Sequence, residues 1–316
     1  MRRLGKSALL FVGIGLLLYS GVYFASERLL YRTGHSNPLF KIATAPDAAF
    51  DWVILGASHA MPLDFGDFNA RMEHDLGLRI LNLASPGTGP LYNRFVLEAF
   101  LRQHRGRNLL YVLDSFAFYS RTWNEERFAD PKLLRRTPFE LATARRLWGY
   151  TLREGVDVRA VLDYVTGFSK INNQERFQRD AWEGEAQFDR VQRPSATAVK
   201  KRIGYLYPEQ TSPRTLARYL AELSSLVELA QREGMRVVAI KMPVPPSFRS
   251  QLPEEGAFDE AVAGVLATHR VPLRDFSAAR DEPRHYFDSD HLNRAGLTQF
   301  LGRDLQAILL EGKGDG

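Results

Sequence analysis

Five short apolar runs punctuate this chain, and together they constrain its fold more than any other feature. They are the run ending in DWVILGASH (residues 51–59), Leu78–Ala84 (LRILNLA), Asn108–Asp114 (NLLYVLD), Arg236–Met242 (RVVAIKM) and Val271–Phe276 (VPLRDF). Near-continuous apolar runs of this length suit strands buried on both faces. Helix-length segments precede three of them, over 91–104, 213–233 and 254–269. Strands that alternate with helices pair in parallel by crossover, which predicts an α/β fold of three layers with one parallel sheet. In such a sheet the ligand site lies outside the carboxyl ends of the strands.

The N-terminus carries a different signal. MRRLGK is followed by SALLFVGIGLLLYSGVYFA, a stretch without a charge. At ~1.5 Å per residue that stretch nearly spans a bilayer core of ~30 Å. Arg2, Arg3 and Lys6 flank its start, so the positive-inside rule predicts a cytoplasmic N-terminus and a translocated body. Tyr23-Phe24-Ala25 is a poor A-x-A cleavage site because its first position is bulky, which favours an uncleaved anchor over a removed signal peptide. The expected organisation is a cytoplasmic N-terminus and transmembrane anchor over 1–25, a polar juxtamembrane linker over 26–50, the α/β domain over 51–312 and a tail over 313–316.

Between 120 and 207 the alternation lapses into a stretch rich in arginine and aromatic residues, read as an insertion that caps the site or meets a partner. Thr137-Pro138-Phe139-Glu140 has the form of a capping box, which predicts a helix from that point. The insertion's arginines suit either a solvated helix face or a surface for a polyanion. The whole chain has 42 lysines and arginines against 37 acids and no cysteine. That excludes a thiol nucleophile, disulfides and cysteine-ligated metal. No long basic tract or aromatic RNA-binding signature is present, so nucleic acid is not an expected partner. No cofactor or metal is expected.

The chemistry-bearing motifs sit at the two ends of the predicted domain. ILGASHA places Ser58 immediately after the first strand, and YFDSDHLNRAG places Asp288 and His291 three residues apart after the last. A serine hydroxyl is a weak nucleophile until a histidine takes its proton, and that histidine needs a carboxylate to hold its tautomer. Asp-x-x-His supplies both from one loop, with Asp290 as an alternative orienting acid. Both motifs follow strands, so both can lie at one sheet edge. His59, adjacent to Ser58, is expected to point away from it as a loop residue or substrate contact.

A serine after the first strand, a glycine-bearing loop after the second and a late Asp-x-x-His resemble the SGNH, or GDSL-like, hydrolase superfamily. GASH and DSDHLNRAG on a membrane-anchored chain are similar to bacterial cell-envelope acylation proteins, of the alginate O-acetylation type and the lipoteichoic acid D-alanyl transfer type. The resemblance covers about residues 51–120 and 213–312. It implies a flavodoxin-like α/β/α fold, with Ser58 as nucleophile, His291 as general base and Asp288 as its orienting carboxylate. In NLASPGTG it implies that Gly87 offers its backbone N–H to an oxyanion beside that of Ser58. The third block departs from the family: LDSFAFY has Asp114 where an asparagine donor is usual. Asp114 is therefore expected to face an arginine or a backbone N–H, with Ser115 or Asn93 as the substitute donor. An α/β-hydrolase is disfavoured because Ala60 replaces the last glycine of G-x-S-x-G and Ser58 follows the first strand.

Two functions of different class follow. One is a serine acyltransferase or esterase that passes an acyl group, expected to be acetyl, to an envelope polysaccharide or to water. The other is a non-catalytic, membrane-tethered glycan-binding or assembly protein. A separation near 3 Å between the Ser58 hydroxyl and the His291 imidazole marks the first, and more than about 5 Å the second. The resemblance further implies the bacterial inner membrane, a periplasmic catalytic domain and a multi-spanning membrane O-acyltransferase as acyl donor.

Overall fold

The computed structural model describes residues 2–312, and side chains from Gly5 onward. The expected tail, 313–316, lies outside the described residues. The chain begins with α1 (Arg2–Thr33) and α2 (Pro38–Thr44), followed by β1 (Ala49–Leu55), α3 (Phe68–Leu76), β2 (Ile80–Asn82), α4 (Pro90–Gln103) and β3 (Arg105–Val112). The insertion then supplies α5 (Pro131–Leu134), α6 (Leu141–Glu154), α7 (Val158–Thr166), α8 (Phe168–Ile171) and α9 (Ala196–Leu206). Alternation resumes with α10 (Pro213–Arg232), β4 (Arg236–Lys241), α11 (Pro246–Arg249), α12 (Glu255–Thr268) and β5 (Leu273–Asp275), and the chain closes with α13 (Arg294–Phe300) and α14 (Gln306–Glu311).

All five strands pair in parallel in the order β2-β1-β3-β4-β5. This is the flavodoxin-like order, and it places a topological switch point at the carboxyl ends of β1 and β3. Strand side chains alternate between two cores, as the two-residue period requires. Val53, Leu109, Tyr111, Val237 and Ala239 pack with α4, α10 and α12. Ile54, Leu110, Val112, Val238 and Ile240 pack with α3, α13 and α14. The register Val53↔Leu109↔Val237 aligns the first set across the central strands. Both faces are covered, which is why these strands read as unbroken apolar runs.

Two expectations are corrected here. The Thr137–Glu140 capping box does not form: α6 starts at Leu141 with Glu140 at its cap, without a side-chain cap bond. The Thr137 hydroxyl instead donates to Leu133 O at 2.8 Å and accepts from Asn37 at 3.1 Å. Burial of that hydroxyl beside a nearer carbonyl outcompetes the cap. The stretch 26–50, expected as a linker, is folded onto the insertion. Arg136 donates to the Thr33 hydroxyl at 2.9 Å, the Ser36 hydroxyl to Asp180 at 2.7 Å, and the backbone N–H of Asp180 to Thr33 O at 2.7 Å. Lys170 pairs with Glu27, a carboxylate that also accepts from the Phe139 N–H at 2.8 Å. Polarity in that stretch therefore reflects long-range pairing with the insertion.

Asn37 concentrates this docking in one side chain. Its oxygen caps α2 by accepting from Leu39 and Phe40, and its amide donates to Leu133 O and Thr137, all within 3.1 Å. A buried cap with four partners is worth about 1–2 kcal/mol, more when its removal orphans buried groups. Asn37→Ala is therefore expected to destabilise the chain by about 2 kcal/mol. A lowered thermal midpoint by circular dichroism checks this, and the secondary structure content at low temperature should be unchanged.

Candidate active site

β1 ends at Leu55, and the next residue decides how its loop leaves the sheet. Gly56 has φ +150°, and a Cβ there would stand 2.8 Å from the Val112 Cβ and 2.9 Å from the Val112 carbonyl. Only glycine lets the loop after β1 cross so close to β3. Ser58 then opens a 3-10 helix, Ser58–Asp64, whose Ala60 carbonyl accepts from Asn82 at 2.8 Å. Asn82 thus ties the serine-bearing turn to the end of β2.

The last loop is closed by an antiparallel bridge between Tyr286 and Leu292 and by a bond from the Phe287 N–H to His291 O at 3.0 Å. Asn293 caps α13 by accepting from the Gly296 N–H at 2.9 Å. Gly296 is required there, since a Cβ would fall 2.3 Å from His285 O. This loop carries His291 to Ser58: the two side chains meet at 2.9 Å, Nε2 to Oγ. On its other side, His291 Nδ1 lies 2.9 Å from both Asp288 oxygens. Asp288 is fixed in turn by the backbone N–H groups of His291, at 2.8 Å, and Asp290, at 3.1 Å. Nδ1 therefore carries the proton and Nε2 accepts from the serine. The His291 ring is fully buried, stacked on Phe287 (5.5 Å, 8°) and edge-on to Trp182 of the insertion (5.0 Å, 68°).

Gly87 has φ +59° and sits against the Trp123 ring, which a Cβ would meet at 2.6 Å. It shares with Ser58 a small cavity of about 70 Å³, walled also by Trp182, Arg202 and Tyr205. Among the described residues no hydrogen-bond acceptor meets the Ser58 or the Gly87 amide, so both donors remain free. Pro86, Arg127, Trp182 and Tyr205 also line a neighbouring cleft of about 500 Å³. Most of these walls belong to the insertion.

The remaining expectations change. His59 is not a loop residue but part of the 3-10 turn; it is buried, is absent from the walls of the Ser58 cavity, and its ring lies 4.8 Å from that of His291. Successive residues of a 3-10 helix are separated by about 120° rather than facing opposite ways, so Ser58 and His59 both turn inward. His59 Nδ1 pairs with Asp114, and Nε2 lies 3.4 Å from Asp290. Asp114 thus faces a histidine and not an arginine or a backbone N–H. Ser115 and Asn93 do not line the Ser58 cavity: the Ser115 hydroxyl is held by Tyr207, at 2.6 Å, and by Glu255, and Asn93 donates to Tyr111 at 3.3 Å. Asp290 lies 3.6 Å from His291 Nδ1, against 2.9 Å for Asp288, and its second oxygen accepts from Arg202 at 3.0 Å. The shorter, doubly aligned contact assigns the orienting position to Asp288.

Burial lowers the pKa of His59, but Asp114 and then Asp290 outweigh it and raise it from 6.5 to about 10. Asp290 is penalised by burial, yet His291, Arg202 and His59 hold its carboxyl below the usual range. His59, Asp290 and His291 bring ligand atoms within 4.8 Å of one another, the spacing of a metal site. Their chemistry does not fit one: both nitrogens of His291 are engaged, Nε2 by Ser58 and Nδ1 by Asp288, and Asp290 already accepts from Arg202.

No protein-family model matches the chain, and no curated protein is significantly similar to it. Solved structures with a similar chain course include a candidate acylhydrolase of Bacteroides fragilis (11% identity, 86% of this chain and 94% of that one, TM-score 0.41). A GDSL-like lipase of Bacteroides thetaiotaomicron is 10% identical over 83% of this chain and 87% of its own, with a TM-score of 0.36. TesA is 11% identical over 83% and 94%, also at 0.36. Likenesses this distant say nothing about chemistry, which rests on the geometry above.

Because the folded-state pKa of His59 is raised, its protonation stabilises the fold fully below pH 6.5, and the contribution is lost as pH rises through about 10. Denaturant unfolding from near pH 6.5 to near pH 10 should show wild-type stability falling more steeply than that of His59→Gln. Parallel slopes in the two proteins would remove the charged assignment.

Proposed function

We propose that the chain is a serine-dependent O-acyltransferase or esterase that works through an acyl-enzyme on Ser58. The observation that supports this reading is the hydrogen-bonded series Asp288–His291–Ser58, with both contacts at 2.9 Å, at the switch point of the sheet. His291 Nε2 takes the Ser58 proton as Oγ attacks the acyl carbon. Asp288 holds the imidazole in the accepting tautomer and stabilises the imidazolium that forms. The free Ser58 and Gly87 amides receive the negative charge that develops on the acyl oxygen, and donors aimed in this way are worth about 3 kcal/mol each. His291 then returns its proton to the leaving group. In the second half-reaction it takes a proton from the acceptor hydroxyl as that oxygen attacks the acyl carbon, and it returns the proton to Ser58 Oγ as the bond between serine and acyl group breaks. Burial of His291 under Phe287 and Trp182 keeps bulk water from competing for Nε2.

The acceptor we propose is a hydroxyl of a cell-envelope polysaccharide, and the acyl group acetyl. A cleft lined by Arg127, Lys132, Arg179, Trp182 and Tyr205 suits a broad polar chain, because aromatic faces stack on sugar rings while cations bind oxygen. The apolar helix over Gly5–Thr33, none of whose apolar window is buried by the protein, supports the reading of α1 as an anchor in the inner membrane with the remainder outside the cytoplasm. Since acyl-coenzyme A is cytosolic, that placement calls for a donor passed across the bilayer by a multi-spanning acyltransferase. Tethering keeps the two at high effective concentration.

Incubation of the full-length chain in detergent with an activated acetyl ester, followed by peptide mass spectrometry, should place one acetyl group on Ser58. Ser58→Ala and His291→Ala should each lower turnover by roughly 10³-fold or more, Asp288→Asn by somewhat less, and the double variants no further, because one step is disabled in each. Adduct formation elsewhere, or turnover in Ser58→Ala near that of wild type, would remove the assignment.

Direction is tested in cells. Loss of the membrane acyltransferase and Ser58→Ala should reduce polysaccharide acylation equally. A rise in acylation with Ser58→Ala would mean that the protein removes acyl groups.

A further inference from the structure

Among the described residues outside α1, twelve large hydrophobic side chains are exposed, and eight of them fall between Phe139 and Phe168. They are ordered by helix geometry. On α6, Leu141, Trp148 and Leu152 recur at intervals of seven and four, and on α7 into α8, Leu162, Val165 and Phe168 recur at intervals of three. The other faces of the same helices, with Leu147, Tyr150, Ala160 and Tyr164, are buried in the main core. A single exposed leucine is ordinary, but apolar stripes on two adjacent helices mark a surface with an occupant.

The contacts of these helices with α1 identify that occupant. The Tyr19 hydroxyl donates to Thr166 O at 2.9 Å. The Tyr23 ring packs on Gly167, where a Cβ would come within 2.4 Å of it, and lies edge-on to Phe139 at 6.3 Å. The corner between α7 and α8 therefore stands level with residues 19–23 of α1. These residues are inside the uncharged segment that ends at Ala25, and at 1.5 Å per residue Tyr19 lies about 9 Å within it. Crossing the hydrocarbon takes about twenty residues, which uses the whole of that segment. A bilayer thick enough to cover α1 therefore reaches the corner as well. Leu162, Val165 and Phe168 project from that same corner, and exposed Arg145 and Arg159 beside the stripes are long enough to place their charges among lipid phosphates.

Resting on the reading of α1 as an anchor, we propose that the α6–α8 hairpin is itself a lipid-binding element, seated in the interfacial layer of the bilayer from which α1 emerges. Interfacial helices of this kind bind by burying an apolar stripe about 5–10 Å into the headgroup and acyl boundary, with basic residues on the flanks. The insertion would then both wall the Ser58 cavity and fix its orientation to the membrane.

The absence of cysteine allows a direct test on the full-length chain. Leu162→Cys, Val165→Cys and Phe168→Cys each carry a nitroxide in proteoliposomes of zwitterionic phospholipid with a minor anionic fraction. Leu16→Cys in α1 and Val191→Cys on the exposed surface serve as references. Collisions with oxygen, which concentrates in lipid, are compared with collisions with a water-soluble nickel chelate. The hairpin labels should follow Leu16, with oxygen favoured several-fold, while Val191 favours the chelate. Hairpin labels that behave as Val191 does, with Leu16 in lipid, would overturn the proposal and leave the anchor intact. Chelate access at Leu16 would overturn the anchor and the proposal together. Labels shielded from both reagents and broadened by a neighbouring nitroxide would assign the face to a second copy of the chain, which also overturns it.

Discussion

Asp290 has no exposed surface, and a carboxylate in that position must be met by cations and donors or lose its charge. What meets it comes from distant parts of the chain. Arg202 reaches it from the insertion, His59 from the loop after β1 and His291 from its own loop. His59 in turn binds Asp114 from the loop after β3. One buried charge thus links, directly or through His59, the insertion and the loops that follow β1, β3 and β5. Two carboxylates, one guanidinium and one imidazolium balance, so the site gains rigidity without a net buried charge.

This balance also accounts for the aspartate after β3, where the resemblance read from the sequence implies an asparagine. A lone aspartate near an oxyanion would oppose the chemistry. Paired with His59, it serves positioning, and in the proposed reaction the developing charge is left to the two free amides. The insertion completes the arrangement: Trp182 covers His291, Arg202 compensates Asp290, and Trp123 shapes the turn at Gly87. The site is therefore shared between the sheet and the segment that interrupts it.

The sheet was legible in the sequence because strands buried on both faces leave no polar positions, and α4, α10 and α12 because their stripes repeat at helical spacing. Ser58, Asp288 and His291 were legible as residues at strand ends, and the structure brings them within hydrogen-bond distance of one another. His59 was misread because a strand-like alternation was assumed where the chain forms a 3-10 turn. Ser115 and Asn93 were misplaced because proximity in sequence to a strand end does not say which side of the sheet a side chain enters. Trp182 and Arg202 left no trace in any motif. Their positions follow from the path of a long irregular segment, and nothing periodic encodes such a path. The failed cap at Thr137 has a similar cause, since its partner Asn37 is a hundred residues away.

Helix α1 runs unbroken from Arg2 to Thr33, and the four residues between it and α2 are pinned to the insertion and to α2 through Ser36 and Asn37. The join contains no hinge. A flexible tether lets a domain search a sphere around its anchor, whereas α1, if it is the anchor proposed above, makes a mast of fixed height. On the proposed function, a site so mounted would work at a single altitude, on whatever hydroxyl is presented in a thin sheet of space parallel to its base. Its encounters are governed by lateral drift and rotation about the mast axis, and an acceptor that lies higher must be carried down to it.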